Sequence, residues 1–173
     1  EMHEPPFFRG VLRPEVERQL IPATWREGGV GIFGTLAPGL EYRAYLMNGL
    51  NAEGFSSSNI RGARQVGNRA LADDFAGSVR VDYTPIAGLT VGGSMWAGDS
   101  GQDGDFDGEK PSAFTLLWET HAQLRYRGLE MRVLGTLLSI DDAAVLSRAL
   151  EDTIPEDSFG FYAEAAYDVL PWL

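Results

Sequence analysis

The chain has no cysteine, which rules out disulfides and thiolate metal sites. It has a single lysine, Lys110, so its other basic residues are arginines; 14 basic residues stand against 25 acidic ones, for a net charge of −11. Without clustered positive charge there is no broad surface for nucleic acid. Histidine is limited to His3 and His121. There is no Gly-x-Ser-x-Gly, no His-Glu-x-x-His and no phosphate loop, so no enzyme, cofactor or metal site is expected. No stretch approaches the roughly 20 consecutive apolar residues of a membrane helix. The first residues show neither the basic stretch nor the apolar core of an export signal. The lack of a long apolar run leaves a membrane location open, because a membrane β-barrel needs only alternate residues to be apolar. An apolar content of 44% and a mean hydropathy of −0.15 suit such a barrel and a soluble protein alike.

What the chain does contain is a repeated period of two, clearest in the hairpin Ala113–Ser139. Phe114, Leu116, Trp118, Thr120, Ala122, Leu124 and Tyr126 alternate with Thr115, Leu117, Glu119, His121, Gln123, Arg125 and Arg127. One set is almost wholly apolar and the other mostly polar, the pattern of a strand with one greasy and one wet face. After Arg127-Gly128 the alternation resumes with Leu129, Met131, Val133, Gly135 and Leu137 on the apolar side. The same reading predicts seven strands, at about 28–36, 40–48, 75–84, 89–98, 113–126, 129–139 and 159–169. Trp96 falls on the wet face of the fourth, a misfit that a bulge at Gly92-Gly93 would repair. Residues 1–27, rich in proline, are expected to form an ordered loop with a turn of helix from Pro14 to Leu20. Short helices are expected around Arg64–Asp73 and Asp141–Glu151.

The connections alternate in length: short at 37–39, 85–88 and 127–128, long at 49–74, 99–112 and 140–158. In an up-and-down meander this places every short turn at one end and every long loop at the other, the asymmetry of bacterial outer-membrane barrels. Tyr42, Tyr83, Tyr126 and Tyr167 sit on apolar faces near the short turns, and Phe75, Phe114, Phe159 and Phe161 near the long loops. Aromatic rows at both edges of an apolar band mark the two interfaces of a membrane. The fold class expected is therefore all-β: one antiparallel up-and-down transmembrane barrel domain across 1–173. Seven strands are an incomplete barrel, since complete bacterial ones have even numbers from eight upward. The chain is accordingly read as an internal fragment, about half of a longer barrel.

In that frame the wet faces line a pore. The candidate pore-lining residues are Glu41, Arg43, Arg80, Asp82, Glu119, His121, Arg125, Glu130, Arg132 and Glu164, with Asp168 beyond them. Acids and bases close in sequence suggest pairs across strands and a transverse charge arrangement that sets ion preference. Arg61, Arg64 and Arg69 form a constriction if the first long loop folds inward, and a solvated surface if it points out. Asp103, Asp105, Asp107 and Gly108 resemble the start of a calcium loop, but Phe114 stands where the bidentate glutamate belongs. The alternative is a soluble or surface β-domain that binds a ligand or partner, with Leu116, Val133, Phe161 and Ala165 packed against a second layer.

Several stretches resemble phosphate-selective-porin-like outer-membrane proteins of Gram-negative bacteria. They are His3-Glu4-Pro5-Pro6-Phe7, Arg13-Pro14-Glu15-Val16-Glu17 and the run from Ile21-Pro22 through Trp25-Arg26-Glu27 to Gly31. Gly49-Leu50-Asn51, Arg61-Gly62-Ala63-Arg64-Gln65 and Tyr162-x-Glu164-x-x-Tyr167-Asp168 are also similar. The resemblance implies a sixteen-stranded homotrimeric barrel in the bacterial outer membrane, surrounded by lipid and passing small solutes or ions. Members that bind phosphate line their pore with arginine and lysine ladders. The single lysine and mixed wall charge here depart from that, so the resemblance does not imply phosphate.

Overall fold

Alternation of side chains, punctuated by turn residues, produces seven strands: β1 Gly29–Ala37, β2 Leu40–Asn48, β3 Phe75–Ile86, β4 Leu89–Gly98, β5 Thr115–Tyr126, β6 Leu129–Ile140 and β7 Asp157–Tyr167. A computed structural model describes residues 13–21, 25–67 and 69–169. The stretch His3–Phe7, residues 22–24 and the terminal 170–173 lie outside it. The strands form one antiparallel sheet in chain order, β1 to β7, and the two end strands do not pair with each other. The short turns carry the chemistry their geometry needs. Gly39 (φ +76) follows Pro38, Gly88 takes φ +87, and Arg127 (φ 50) and Gly128 (φ 81) are both left-handed between the paired Tyr126 and Leu129. Two successive left-handed residues are the signature of the type I′ turn, whose twist matches that of the strands.

The register joins the apolar faces without a break. One row crosses all seven strands: Ile32, Ala44, Val79, Met95, Trp118, Leu137 and Phe159. A slip of one residue would send a whole strand's apolar set to the other face, so this agreement specifies the register strongly. The face lies open: Phe159 and Phe161 are each 78% exposed, Val30 70% and Leu137 60%. Among the described residues no second layer covers it: Val133, Phe161 and Ala165 are exposed and Leu116 is half-buried.

The hydrophobic core lies elsewhere, at the long-loop end of the opposite face. Leu50, Ala52, Phe55, Ile60 and Ala63 from the first long loop, Phe106 and Ala113 from the second, and Ala143, Leu146 and Ile154 from the third are buried together. They pack with the strand residues Ala76, Trp96, Leu117, Leu138 and Ile140. Hydrogen bonds tie these loops into a cap: Ala52 N donates to Ser100 O (2.7 Å) and Gln102 Nε2 to Leu50 O (3.0 Å). Ser57 N donates to Asp152 Oδ2 (3.0 Å), and that backbone donor, with Thr153 N and the Ser57 hydroxyl, holds the Asp152 carboxyl below its usual range.

Two expectations need correction. The first long loop has no helix at 64–73 among its described residues; short 3₁₀ turns at Ala52–Gly54 and Ile60–Ala63 take its place, the first capped by Asn51 Oδ1 accepting from Glu53 N (3.0 Å). No bulge interrupts β4 at Gly92-Gly93, where pairing with β3 and β5 is continuous. Trp96 therefore keeps its place on the polar side, where it is 5% exposed because the cap and Trp25 cover it. The third long loop carries α2, Ala143–Ala149, inside the predicted helix.

The N-terminal segment is the remaining layer. Its short helix, α1, Glu15–Gln19, follows Pro14 and lies against the polar side of β7. A Cβ on Gly160 would come within 2.9 Å of Val16 Cγ2 and 3.0 Å of Leu20 Cδ1, so the glycine is the seat of the helix. Further along, the Trp25 and Trp96 rings meet at 5.3 Å between centroids, tilted by 40°.

Candidate functional site

The polar face divides along the strands. Its long-loop end is apolar and sealed by the cap; its short-turn end carries the charged side chains expected from the sequence. Like charges stand directly opposite one another between β2 and β3, Glu41 beside Asp82 and Arg43 beside Arg80. Such pairs repel, and the wall answers with ion pairs along the strands rather than only across them. Arg80 meets Asp82 two residues on, Arg132 meets Glu130, His121 meets Glu119 and Arg43 approaches Glu41. The last pair, at 4.0 Å and half exposed, contributes little.

The densest cluster centres on His121. Arg80 holds Asp82 with two donors, Nε to Oδ2 (2.7 Å) and Nη2 to Oδ1 (2.8 Å). His121 Nε2 lies 2.9 Å from Asp82 Oδ1 and its Nδ1 2.7 Å from Glu119 Oε1. Ser94 Oγ donates to Glu119 Oε2 (2.9 Å). His121 Nε2 also lies 3.0 Å from Arg80 Nη2, and the chain Ser94–Glu119–His121–Asp82–Arg80 spans β3, β4 and β5. Gly92 makes it possible: it sits opposite both Asp82 and His121, and a Cβ there would fall 2.6 Å from Asp82 Oδ1 and 2.9 Å from His121 Cε1.

The second cluster gathers on one carboxylate oxygen. Glu130 Oε1 accepts from Arg132 Nη2 (2.7 Å) and Nε (3.1 Å), from Gln123 Nε2 (3.2 Å) and from Arg125 Nη2 (3.3 Å). Glu164 stands opposite Arg132 in the register. Asp168 lies past the end of β7, where its backbone N–H closes the turn on Gly128 O (2.9 Å).

Facing both clusters is the N-terminal segment. Tyr162 Oη donates to Glu17 Oε1 (2.6 Å), and Arg13 lies 3.8 Å from Glu17. Between segment and wall is a cavity of about 650 Å³, bounded by Arg13, Glu17 and Ile21 on one side and by Arg80, Glu119, His121, Arg125 and Arg132 among others on the other. Near the cap, Glu27 accepts from Gln65 N (3.0 Å). Burial raises its carboxyl, against the lowering effects of that N–H, the Trp25 indole and the Arg64 charge.

The loop arginines play a smaller part than the sequence suggests. The first long loop does fold over the polar face, but Arg61 turns to the carbonyl of Arg18 (3.5 Å) and Arg64 to that of Arg61 (2.8 Å). Arg69 is exposed. In the acidic loop Phe106 is buried, Asp105 accepts from Gly108 N (2.8 Å) and Glu109 pairs with Arg148 (3.0 Å). No group of metal-ligating side chains gathers there or elsewhere among the described residues. Ser94, Gln123 and Gly92 belong to the site although sequence reasoning passed over them; each lies on the period-two face that held the rest. Glu17 and Arg13 could not be placed beside Tyr162 from the sequence, because nothing in it sets α1 against β7.

Removing His121 should weaken the wall. His121→Leu leaves Glu119 with Ser94 alone and should lower stability by about 2 kcal/mol, below the roughly 3–5 kcal/mol of a fully buried pair because the cavity admits water. Adding Glu119→Gln should recover part of that loss in the thermal unfolding of the complete protein. An unchanged midpoint in the single variant would remove the cluster's structural role.

The chain is 34% identical over 183 residues to an uncharacterized protein of Aquifex aeolicus (strain VF5), an alignment that covers 98% of this chain and 41% of that protein. It thus spans about two fifths of the length of this relative. No protein-family profile matches the chain, and no solved structure matches it at a significant level.

Proposed function

We propose that the chain forms part of the wall of a bacterial outer-membrane β-barrel, a porin-like channel through which small solutes or ions diffuse passively, with no covalent chemistry. The observation that carries this reading is the apolar face, continuous over seven strands and open along its whole width. Lipid is the partner that such a face fits, and Tyr83, Tyr126 and Tyr167 at one edge with Phe75 and Phe159 at the other match the two interfaces. The strands run from 9 to 12 residues, long enough for tilted strands that each need about 9–11 to cross a bilayer. Unpaired backbone at the outer edges of β1 and β7 is untenable in hydrocarbon, so further strands of the complete protein close the barrel. The homotrimer belongs to the same proposal through the resemblance to phosphate-selective-porin-like proteins.

The wall pairs each cluster of arginine with carboxylates, so selectivity follows pore size and mixed charge rather than a one-sign ladder. The test is reconstitution. The complete protein, refolded from denaturant into planar bilayers, should give stepwise, ohmic conductance. Recovery of the folded protein from the aqueous phase without detergent would overturn the channel.

A further inference from the structure

We infer that over the charged half of the wall the channel is narrowed by α1 and its flanking residues, 13–21, held against the wall by Glu17, Val16 and Leu20, while the long loops fill the other half. This rests on the channel reading and names the element that limits passage.

The long loops are committed elsewhere. Their apolar side chains are used in the cap, with Leu50, Ile60 and Leu146 fully buried; in the first loop Arg64 turns to the Arg61 carbonyl and Arg61 to the Arg18 carbonyl of α1. The N-terminal segment instead lies over the charged half of the polar face, beside an open volume. A helix with its side chains is about 10–12 Å across, so one lying on the inner wall takes a large share of a solute-sized passage. Its attachment is specific and local. Gly160 leaves the hollow that Val16 and Leu20 fill, and Tyr162 Oη donates to Glu17 Oε1 at 2.6 Å. Neither feature has another use in the sheet: Gly160 is opposite Thr136, in a row where its hydrogen alone makes room for α1.

The slot that remains is the cavity of about 650 Å³. Its helix side presents Glu17 and Arg13; its wall side presents Arg80, Glu119, Arg125 and Arg132. A solute passing there meets both signs of charge within a few ångströms. The slot therefore suits small charged or zwitterionic solutes and excludes bulky oligomers. Glu17 sits on the helix and not on the sheet, so its charge lies on the segment side of the slot.

Single-channel recording on the complete protein tests this. Gly160→Leu combined with Tyr162→Phe should unseat α1, raise conductance about twofold by removing an obstruction of helix width, and admit larger polyethylene glycols. Where that pair fails to assemble, Glu17→Ala narrows the obstruction from the helix side and should raise conductance more modestly. Glu17→Lys should shift the reversal potential in a salt gradient toward anion preference, a change that a purely structural role would not produce. Wild-type conductance, exclusion size and reversal potential in the Gly160/Tyr162 and Glu17 variants would overturn the inference while leaving the channel standing. A wild-type protein with no conductance at all would overturn the channel and this inference together.

Discussion

Arginine at both Val79 and Val133 should abolish insertion of the complete protein into lipid vesicles. Both side chains lie on the open apolar face near mid-strand, 44% and 45% exposed, in the band between the tyrosine and phenylalanine rows. An arginine on the lipid face at the midplane of an outer-membrane barrel costs about 2–4 kcal/mol. The two sites lie on β3 and β6, too far apart to share a partner, so their costs should add. The sum rivals the whole net stability of a typical domain, about 5–15 kcal/mol. Leu134→Arg is the matched control. Leu134 is the next residue along β6, but it points to the polar side and borders the cavity, so an arginine there would keep its guanidinium in water. Folded fraction in vesicles, read by heat-dependent mobility on gels, should fall to near zero for the pair and stay near wild type for Leu134→Arg. Equal insertion of the two would show that the apolar face does not meet hydrocarbon.

That contrast works because the faces were legible from the sequence. A period of two needs no tertiary information, and Pro38-Gly39 and Arg127-Gly128 announce their own turns. In the central hairpin the residues assigned to the apolar side from Leu116 to Tyr126 and from Leu129 to Leu137 stand there in the register, while Phe114 lies just before β5. Where sequence reasoning went astray, a partner distant in sequence decided the outcome. Trp96 looked like a fault in β4 because its cover, Trp25 and the cap, is invisible to local alternation. The 3₁₀ turns at 52–54 and 60–63 have too few residues for any periodicity and are fixed by burial of Ala52, Ile60 and Ala63. Within the site, Arg80, Asp82, Glu119 and His121 could be placed on one face, but which of them touch depends on the stagger between β3, β4 and β5. That stagger puts His121 opposite Gly92 and so beside Asp82. The position of α1 depends on Gly160, whose absent side chain looks in the sequence like any other strand glycine.

Leu146→Ala should destabilise the protein by about 2–5 kcal/mol, the range for truncating a fully buried leucine, while Leu137→Ala should cost much less. The prediction follows from where the buried apolar volume lies. A sandwich buries it between two sheets; here the described residues bury it under the three long loops, where Leu146 on α2 is fully enclosed with Ile60, Leu138 and Ile140. Leu146 cannot be replaced there by solvent or lipid without leaving a cavity, because the cap is closed by hydrogen bonds such as Ala52 N to Ser100 O and Ser57 N to Asp152. Leu137 lies on the open face, 60% exposed, and in a bilayer an acyl chain fills the space that its truncation leaves. Urea unfolding of the refolded complete protein in vesicles gives both values. Equal losses would mean that the cap contributes nothing beyond covering the sheet. A large loss at Leu146 alone, with slow amide exchange at Ala52 and Phe55, would make the loop end the stable anchor against which the charged, more open half of the polar face is held.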